Sequence, residues 1–180
     1  MIGFRGVQDS RARATYVAEM VAEKTVRSVG VAPRALKSLL DGCRALVLAR
    51  ASRGRPWCAP LWFARSSNGR ELYFWSDPAS RHARELARRS TASAALFVDA
   101  PSIRELRGAQ LEGTVARLDG HAAERAQARF LSRFPSAAPF LAGAASERLF
   151  AFRITTAKVT DNRRRFGRKQ RFELRGRQRK

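Results

Sequence analysis

Residues 55–82, RPWCAPLWFARSSNGRELYFWSDPASRH, decide the fold class. Two segments rich in aromatic residues, Pro56–Ala64 and Glu71–Trp75, flank the dipeptide Asn68-Gly69. An Asn-Gly pair supplies the positive φ angles of a tight hairpin turn, so the stretch predicts two antiparallel strands. The serines and aspartate at 76–80 then offer side-chain caps, which predicts that a helix follows the second strand.

The sequence on both sides continues the strand pattern. Short apolar runs predict four more strands, at Cys43–Arg50, Thr91–Val98, Ile103–Leu118 and Arg148–Thr160. A further, weak strand is predicted at Phe172–Leu174, and helices are predicted at 33–42 and 121–133. Six strands joined mostly by hairpins predict a mainly β (α+β) fold, an antiparallel barrel with peripheral helices. A doubly wound parallel sheet is disfavoured because its regular alternation of strands and helices is missing.

The sequence lacks the motifs of several common enzyme classes. No glycine pattern gives GxGxxG or GxxxxGK[ST], and neither a GxSxG elbow nor an HExxH pair occurs. The usual support for dehydrogenase, kinase and hydrolase chemistry is therefore absent. Cys43 and Cys58 form no CxxC pair, and with His82 and His121 as the only histidines we expect no metal site.

The charge is strongly positive and uneven. Lys and Arg number 36 against 15 acidic residues, a net charge of +21, and 31 of the basic residues are arginine. One interpretation is that the arginines are ordinary solvent-exposed surface residues. The alternative is that they bind the phosphates of a nucleic acid. The segment Lys158–Lys180, with eleven basic and two acidic residues, is the part that would touch nucleic acid.

Three regions follow from these patterns. We expect an N-terminal helical extension at 1–31, with an amphipathic helix from about Arg11 to Arg27, a barrel domain at 32–162, and a basic tail at 163–180. No run approaches about 18 apolar residues, and the N-terminus lacks the apolar run of a secretory signal. A cytoplasmic protein without membrane contact is the expectation.

Three features of the central third are candidates for binding. Pro60 lies inside a predicted strand, which implies an edge, a bulge or backbone that faces a ligand, although a core strand explains it as well. Ser76, Ser80 and Arg81 surround a predicted helix N-terminus, which suits a phosphate, although an ordinary helix cap is the simpler reading. Gln110 alternates with apolar residues and would contact a planar heterocycle or solvent.

The succession RPWCAPLWF, LYFWSDPASRHARELARRS and IRELRGAQLEGTVARL, with the later RFP and VTDN elements, resembles the FMN-binding proteins of the pyridoxamine 5′-phosphate oxidase-like superfamily. The resemblance covers about 36–166 and is greatest to an uncharacterised bacterial branch. It implies a six-stranded antiparallel split β-barrel with peripheral helices. It also implies a homodimer with FMN at its interface, an oxidoreductase activity and a small-molecule redox substrate.

The resemblance assigns roles to eight residues. Pro60, Leu61 and Trp62 would line the flavin ring, Ser76, Ser80 and Arg81 would hold the phosphate, and Gln110 would contact the ring edge. His82 stands where the true oxidases carry lysine, and no Arg-x-His segment that would grip pyridoxal phosphate follows. The sequence indicates no catalytic acid or base. It leaves open FAD, a deazaflavin or haem in place of FMN, and a nucleic-acid role for the tail.

Overall fold

The structure, a computed structural model, describes residues 24–52, 55–141 and 148–175. These residues form nine β-strands, four α-helices and one short 3-10 helix. The strands are β1 (Lys24–Val29), β2 (Ala45–Ser52), β3 (Arg55–Trp62), β4 (Ala64–Arg65), β5 (Glu71–Trp75), β6 (Thr91–Val98), β7 (Arg107–Arg117), β8 (Leu149–Asp161) and β9 (Lys169–Arg175). The helices are α1 (Arg34–Gly42), α2 (Arg81–Arg88), α3 (Gly120–Arg133) and α4 (Ala138–Leu141), with the 3-10 helix at Pro135–Ala137.

One mixed sheet contains all nine described strands, and its hydrogen-bonded path runs β1-β9-β8-β7-β6-β2-β3. β4 pairs with β5, and β5 pairs in turn with β8. Since β3 and β4 are consecutive and separated only by Phe63, the chain itself links the two sides of the sheet. The result is a split barrel whose ladder is not closed, and the predicted mainly β fold with peripheral helices is confirmed.

The six predicted strands correspond to β2, β3, β5, β6, β7 and β8. The structure adds β1, the two-residue β4 and a β9 longer than the predicted weak strand. Residues 24–27, predicted as the end of a helix, instead lie in β1, which pairs parallel with β9 along its whole length. The remainder of that predicted helix lies outside the described residues. The division of the chain at 31 and 163 stays a prediction.

Two helices pack at opposite ends of β7 and β8. Helix α1 buries Leu36, Leu39 and Leu40 in the barrel core, near the start of β7 and the end of β8. Helix α2 buries Ala83 and Leu86 in the same core, near the end of β7 and the start of β8. No helix in the described part of the chain is both long and apolar enough to cross a membrane.

A bulge bends the sheet between β7 and β8. The pairing register shifts between Glu112 and Gly113, which leaves Thr155 without a partner across the ladder. A Cβ at Gly113 would lie 2.1 Å from the carbonyl oxygen of Arg153, so only glycine fits there. The bulge lets two strands of different curvature remain paired around the core.

Candidate functional site

Three polar side chains converge at the start of α2. Ser76 is buried directly after β5, and its Oγ lies 2.6 Å from His82 Nε2 and 3.1 Å from Ser80 Oγ. Ser80 caps the helix, since its hydroxyl accepts a hydrogen bond of 3.3 Å from the Ala83 backbone N–H. Three of the predicted site residues, 76, 80 and 82, are thus brought into contact, as expected for residues that flank one helix N-terminus, while Arg81 follows Ser80 at the start of α2.

The charge of this cluster comes from Arg81. Burial lowers the pKa of His82, and Glu85 opposes that effect, so the imidazole is neutral at pH 7. The Arg81 Nε donates to Glu85 Oε1 at 3.0 Å, and the Arg81 side chain remains 39% exposed. Its guanidinium carbon also lies 4.5 Å from the centroid of the Trp57 ring, on β3. Arg81 therefore connects the helix N-terminus to the proline-aromatic strand.

The three predicted ring-lining residues of β3 do not share a face. Side chains alternate along a strand, so Pro60 and Trp62 are exposed on one side, whereas Leu61 packs against the barrel core. Trp62 stacks on Phe134, with ring centroids 4.9 Å apart, and Arg44 lies 5.9 Å from the Trp62 centroid. We call the side of the sheet that carries Pro60 and Trp62 the outer face, and Trp62 lies at one edge of it.

Gln110 shares a row of this outer face with Pro60. The register pairs Pro60 with Val47 on β2, Val47 with Ala95 on β6, and Ala95 with Gln110 on β7. Three interstrand spacings place the two ends of the row about 14 Å apart. The Gln110 side chain is exposed, as a contact with a bound ring requires.

A groove of about 660 Å³ lies on this outer face, over β2, β3 and β6. It is lined by Ala49, Arg50, Ala51, Pro56, Trp57, Cys58 and Ser93. Trp57 is 45% exposed at the groove, under Arg81, and the Arg50 guanidinium donates to the carbonyls of Glu85 and Arg89 at the end of α2. Trp57 and Arg50 were not predicted as site residues from the sequence. Trp57 could have been, because it is an aromatic residue on the same proline-containing strand as Pro60.

Comparison with known proteins identifies the family of this chain. A family model described as Pyridoxamine 5′-phosphate oxidase matches residues 32–163, which is most of the chain. The chain belongs to this family. Its relatives include the UPF0306 protein YhbP of Salmonella paratyphi A, which is 28% identical over 116 residues, 64% of this chain and 76% of YhbP. This relationship confirms the predicted family and its uncharacterised bacterial branch.

Solved structures share the fold of this family member. A heme binding protein from Mycobacterium smegmatis superposes with a TM-score of 0.67 at 18% identity, covering 79% of this chain and 59% of that one. An FAD-binding protein from Mesorhizobium loti superposes with a TM-score of 0.56 at 19% identity, covering 67% of this chain and 86% of that one. The fold is therefore one on which both kinds of flat cofactor are bound by other proteins.

Proposed function

We propose that this protein binds FMN along β3, with the ring in the groove of the outer face and the phosphate at the N-terminus of α2, and acts as a flavin-dependent oxidoreductase on a small molecule. The observation that carries the proposal is the contact of Arg81 with Trp57. Trp57 also lines the apolar groove, so this contact joins a cation and a helix N-terminus to the strand that borders the groove. FMN has the matching shape, a flat ring at one end and a phosphate at the other.

The groove fits the ring part of such a cofactor. Its volume is within the roughly 300–1,000 Å³ of small-molecule sites. Ala49, Ala51 and Pro56 give it a flat apolar floor, and Trp57 offers an exposed aromatic surface. Small side chains on the floor leave room for a planar group to lie against the sheet.

The phosphate part fits through hydroxyl groups and one guanidinium. Ser76 and Ser80 supply hydroxyls beside the N-terminus of α2, where backbone N–H groups and the helix dipole favour an anion. The Arg81 side chain is 39% exposed, whereas its i,i+4 partner Glu85 is only 14% exposed. A phosphate would therefore bind the other donors of the guanidinium while the Arg81 Nε stays paired with Glu85.

Bound FMN would supply the electron-transfer chemistry, while the chain's residues determine its position. Ser76, Ser80, Arg81 and His82 would hold the phosphate end, and Pro60 would contact the ring. Trp57 alternates with Pro60 to the other side of β3 and would hold Arg81 in place. Gln110 would hydrogen-bond the ring edge. Leu61 packs against the barrel core and would hold β3 in position without touching the ring.

The same outer face is the proposed interface of a homodimer. Phe97 on β6 is 69% exposed and Trp62 is 50% exposed, beside a surface of alanine, valine and proline side chains. Exposed apolar patches of this kind mark contact surfaces. A second copy on this face would cover the groove and exclude water from a bound ring.

Titration of the purified protein with FMN and with riboflavin, which lacks the phosphate, tests the proposal. Wild type should bind FMN more tightly, and Arg81→Ala should remove most of that preference. Loss of one charge-assisted hydrogen bond of about 1.5–3 kcal/mol corresponds to a factor of roughly 10 to 100 in affinity. Trp57→Ala should also lower the preference for FMN, by less than Arg81→Ala does, because it removes the ring against which Arg81 packs.

Arg84→Ala is the matched control, since Arg84 is an exposed arginine on the same helix. It should keep the preference for FMN. The proposal fails if wild type binds neither ligand. It also fails if Arg84→Ala lowers the preference as much as Arg81→Ala does.

Haem is the second candidate for the bound cofactor, and the exposed position of Cys58 in the groove favours it. The Cys58 thiol is exposed in the groove, and a thiolate is a known axial ligand of haem iron. The described histidines lie elsewhere: His82 Nε2 is bonded to Ser76, and His121 is exposed on α3. Haem titration with Cys58→Ser as comparison tests this candidate, which predicts loss of the bound spectrum in the variant.

A further inference from the structure

A second cavity, of about 410 Å³, lies at the other end of the barrel from α2. It is formed where α1, the start of β7 and the turn between β8 and β9 meet. Six arginines line it, namely Arg34, Arg107, Arg163, Arg164, Arg165 and Arg168. One acidic residue, Asp161, lies among them.

Asp161 neutralises only part of this charge. Its carboxylate accepts from Arg163 Nε at 3.1 Å and Nη2 at 3.2 Å, and lies 3.8 Å from Arg164 Nε. The hydrogen bond from Arg163 holds the pKa of Asp161 below its usual value, so the carboxylate stays charged at neutral pH. Within the described part of the chain, the other four guanidinium groups have no carboxylate within ion-pair distance. These belong to Arg34, Arg107, Arg165 and Arg168.

Such a concentration of like charge is unfavourable without an anion. The cost is largest for Arg107 and Arg168, which are half-buried and less screened by water than the others. Guanidinium groups donate in a planar fork that matches phosphate oxygens bidentately. The cavity therefore has the donors that a phosphate-rich ligand requires.

We propose that this cavity binds a small ligand with two or more adjacent phosphate groups, of the nucleoside diphosphate class. The arginines converge on one cavity from three elements, so the phosphates must be clustered rather than spaced along a strand of nucleic acid. Ala35, Leu39 and Val159 give the cavity an apolar part that can accommodate a base or sugar. Its volume lies within the range of small-molecule sites.

This site is separate from the proposed FMN site. The Ser76 backbone N–H bonds to the carbonyl of Arg148, next to the first residue of β8, whereas Asp161 is the last residue of β8. Thirteen residues of strand span on the order of 40 Å. The arginine cavity is therefore distant from Ser76, Ser80 and Arg81, which would hold the FMN phosphate. Gln110 lies three residues from Arg107 on β7, but strand alternation puts its side chain on the opposite face.

Isothermal titration of the full chain with inorganic pyrophosphate, and then with ADP, tests the inference. Both probes should bind, and Arg165→Ala/Arg168→Ala should lower their affinity at least tenfold. Circular dichroism of the double variant shows whether its fold is intact. Arg165→Lys/Arg168→Lys keeps the positive charge but loses the planar pair of donors that a guanidinium offers to phosphate. This variant should bind pyrophosphate and ADP with intermediate affinity.

The matched control is Arg125→Ala/Arg129→Ala, which removes two exposed arginines from α3. It should leave pyrophosphate affinity unchanged, and the cavity variant should still bind FMN as wild type does. Equal losses in the two double variants would overturn the inference, because net charge alone would then explain binding. Absence of pyrophosphate binding in wild type would overturn it too. So would binding of a short single-stranded RNA that excess pyrophosphate does not displace, since the arginines would then form a nucleic-acid surface.

Discussion

Replacement of Arg133 by alanine should destabilise the fold without touching the proposed cofactor groove. Arg133 lies at the end of α3, and its Nη2 donates to the carbonyls of Leu40, Asp41 and Cys43 at the end of α1. Its guanidinium carbon also lies 5.0 Å from the centroid of the buried Phe63 ring. One side chain therefore satisfies the free carbonyls of α1 and joins α3 to the barrel.

The size of the effect follows from these contacts. A hydrogen bond to a charged donor contributes about 1.5–3 kcal/mol, and the exposed Asp41 carbonyl can regain water when Arg133 is lost. Burial lowers the pKa of Arg133, which reflects a desolvation cost that offsets part of the gain. We expect a net loss of about 2–3 kcal/mol, or roughly 4–12 °C in Tm for a domain of this size.

Urea denaturation followed by tryptophan fluorescence and by circular dichroism measures this loss. Arg129→Ala is the control, because Arg129 is exposed one turn earlier on α3 and should change stability by less than about 0.5 kcal/mol. If the two variants had the same midpoint as wild type, the cap on α1 would not stabilise the fold, and the reasoning would be refuted.

Three further predictions concern other parts of the molecule. Gly113→Ala should cost at least about 3 kcal/mol or prevent soluble expression, because its Cβ would overlap the Arg153 carbonyl; a wild-type urea midpoint would contradict this. The hydrogen bond from Arg65 lowers the pKa of Asp41 below its unfolded value, so its stabilisation is complete above roughly pH 5 and is lost as pH falls through the folded pKa. Asp41→Asn should thus cost under about 1 kcal/mol at pH 7, and the cost should shrink as the pH falls below about 5; a urea-measured cost that does not change with pH would be inconsistent with this. For the proposed homodimer, Phe97→Glu should lower the mass in light scattering from dimer to monomer while the circular dichroism spectrum is retained; a monomeric wild type, or an unchanged mass in the variant, would contradict the proposed interface.

Most strands could be predicted because their signals are local. The Asn68-Gly69 turn specifies a hairpin without reference to the rest of the chain, but this hairpin joins only the two-residue β4 to β5, because the aromatic strand β3 pairs with β2 instead. β1 could not be found in this way, because its pairing with β9 joins residues about 145 positions apart and depends on the finished sheet. The valines before it fitted a helical spacing, and nothing local opposed that interpretation.

The candidate site follows the same rule: its local contacts could be predicted from the sequence, and its long-range contacts could not. Ser76, Ser80 and His82 lie within seven residues, so a cap motif already brings them together. The contact of Arg81 with Trp57 joins α2 to β3, two elements that the tertiary fold brings together, and could not be predicted from spacing. The prediction that Leu61 lines the ring together with Pro60 and Trp62 did not use strand alternation, which places Leu61 on the opposite face.

The absorption spectrum of the protein after incubation with excess FMN and desalting is the most direct test that the protein binds FMN through Arg81. The flavin absorption bands should stay with wild type and with Arg84→Ala, and Arg81→Ala should lose them. A protein that emerges colourless, or that retains haem and no flavin under matched conditions, would contradict the assignment of the groove to FMN.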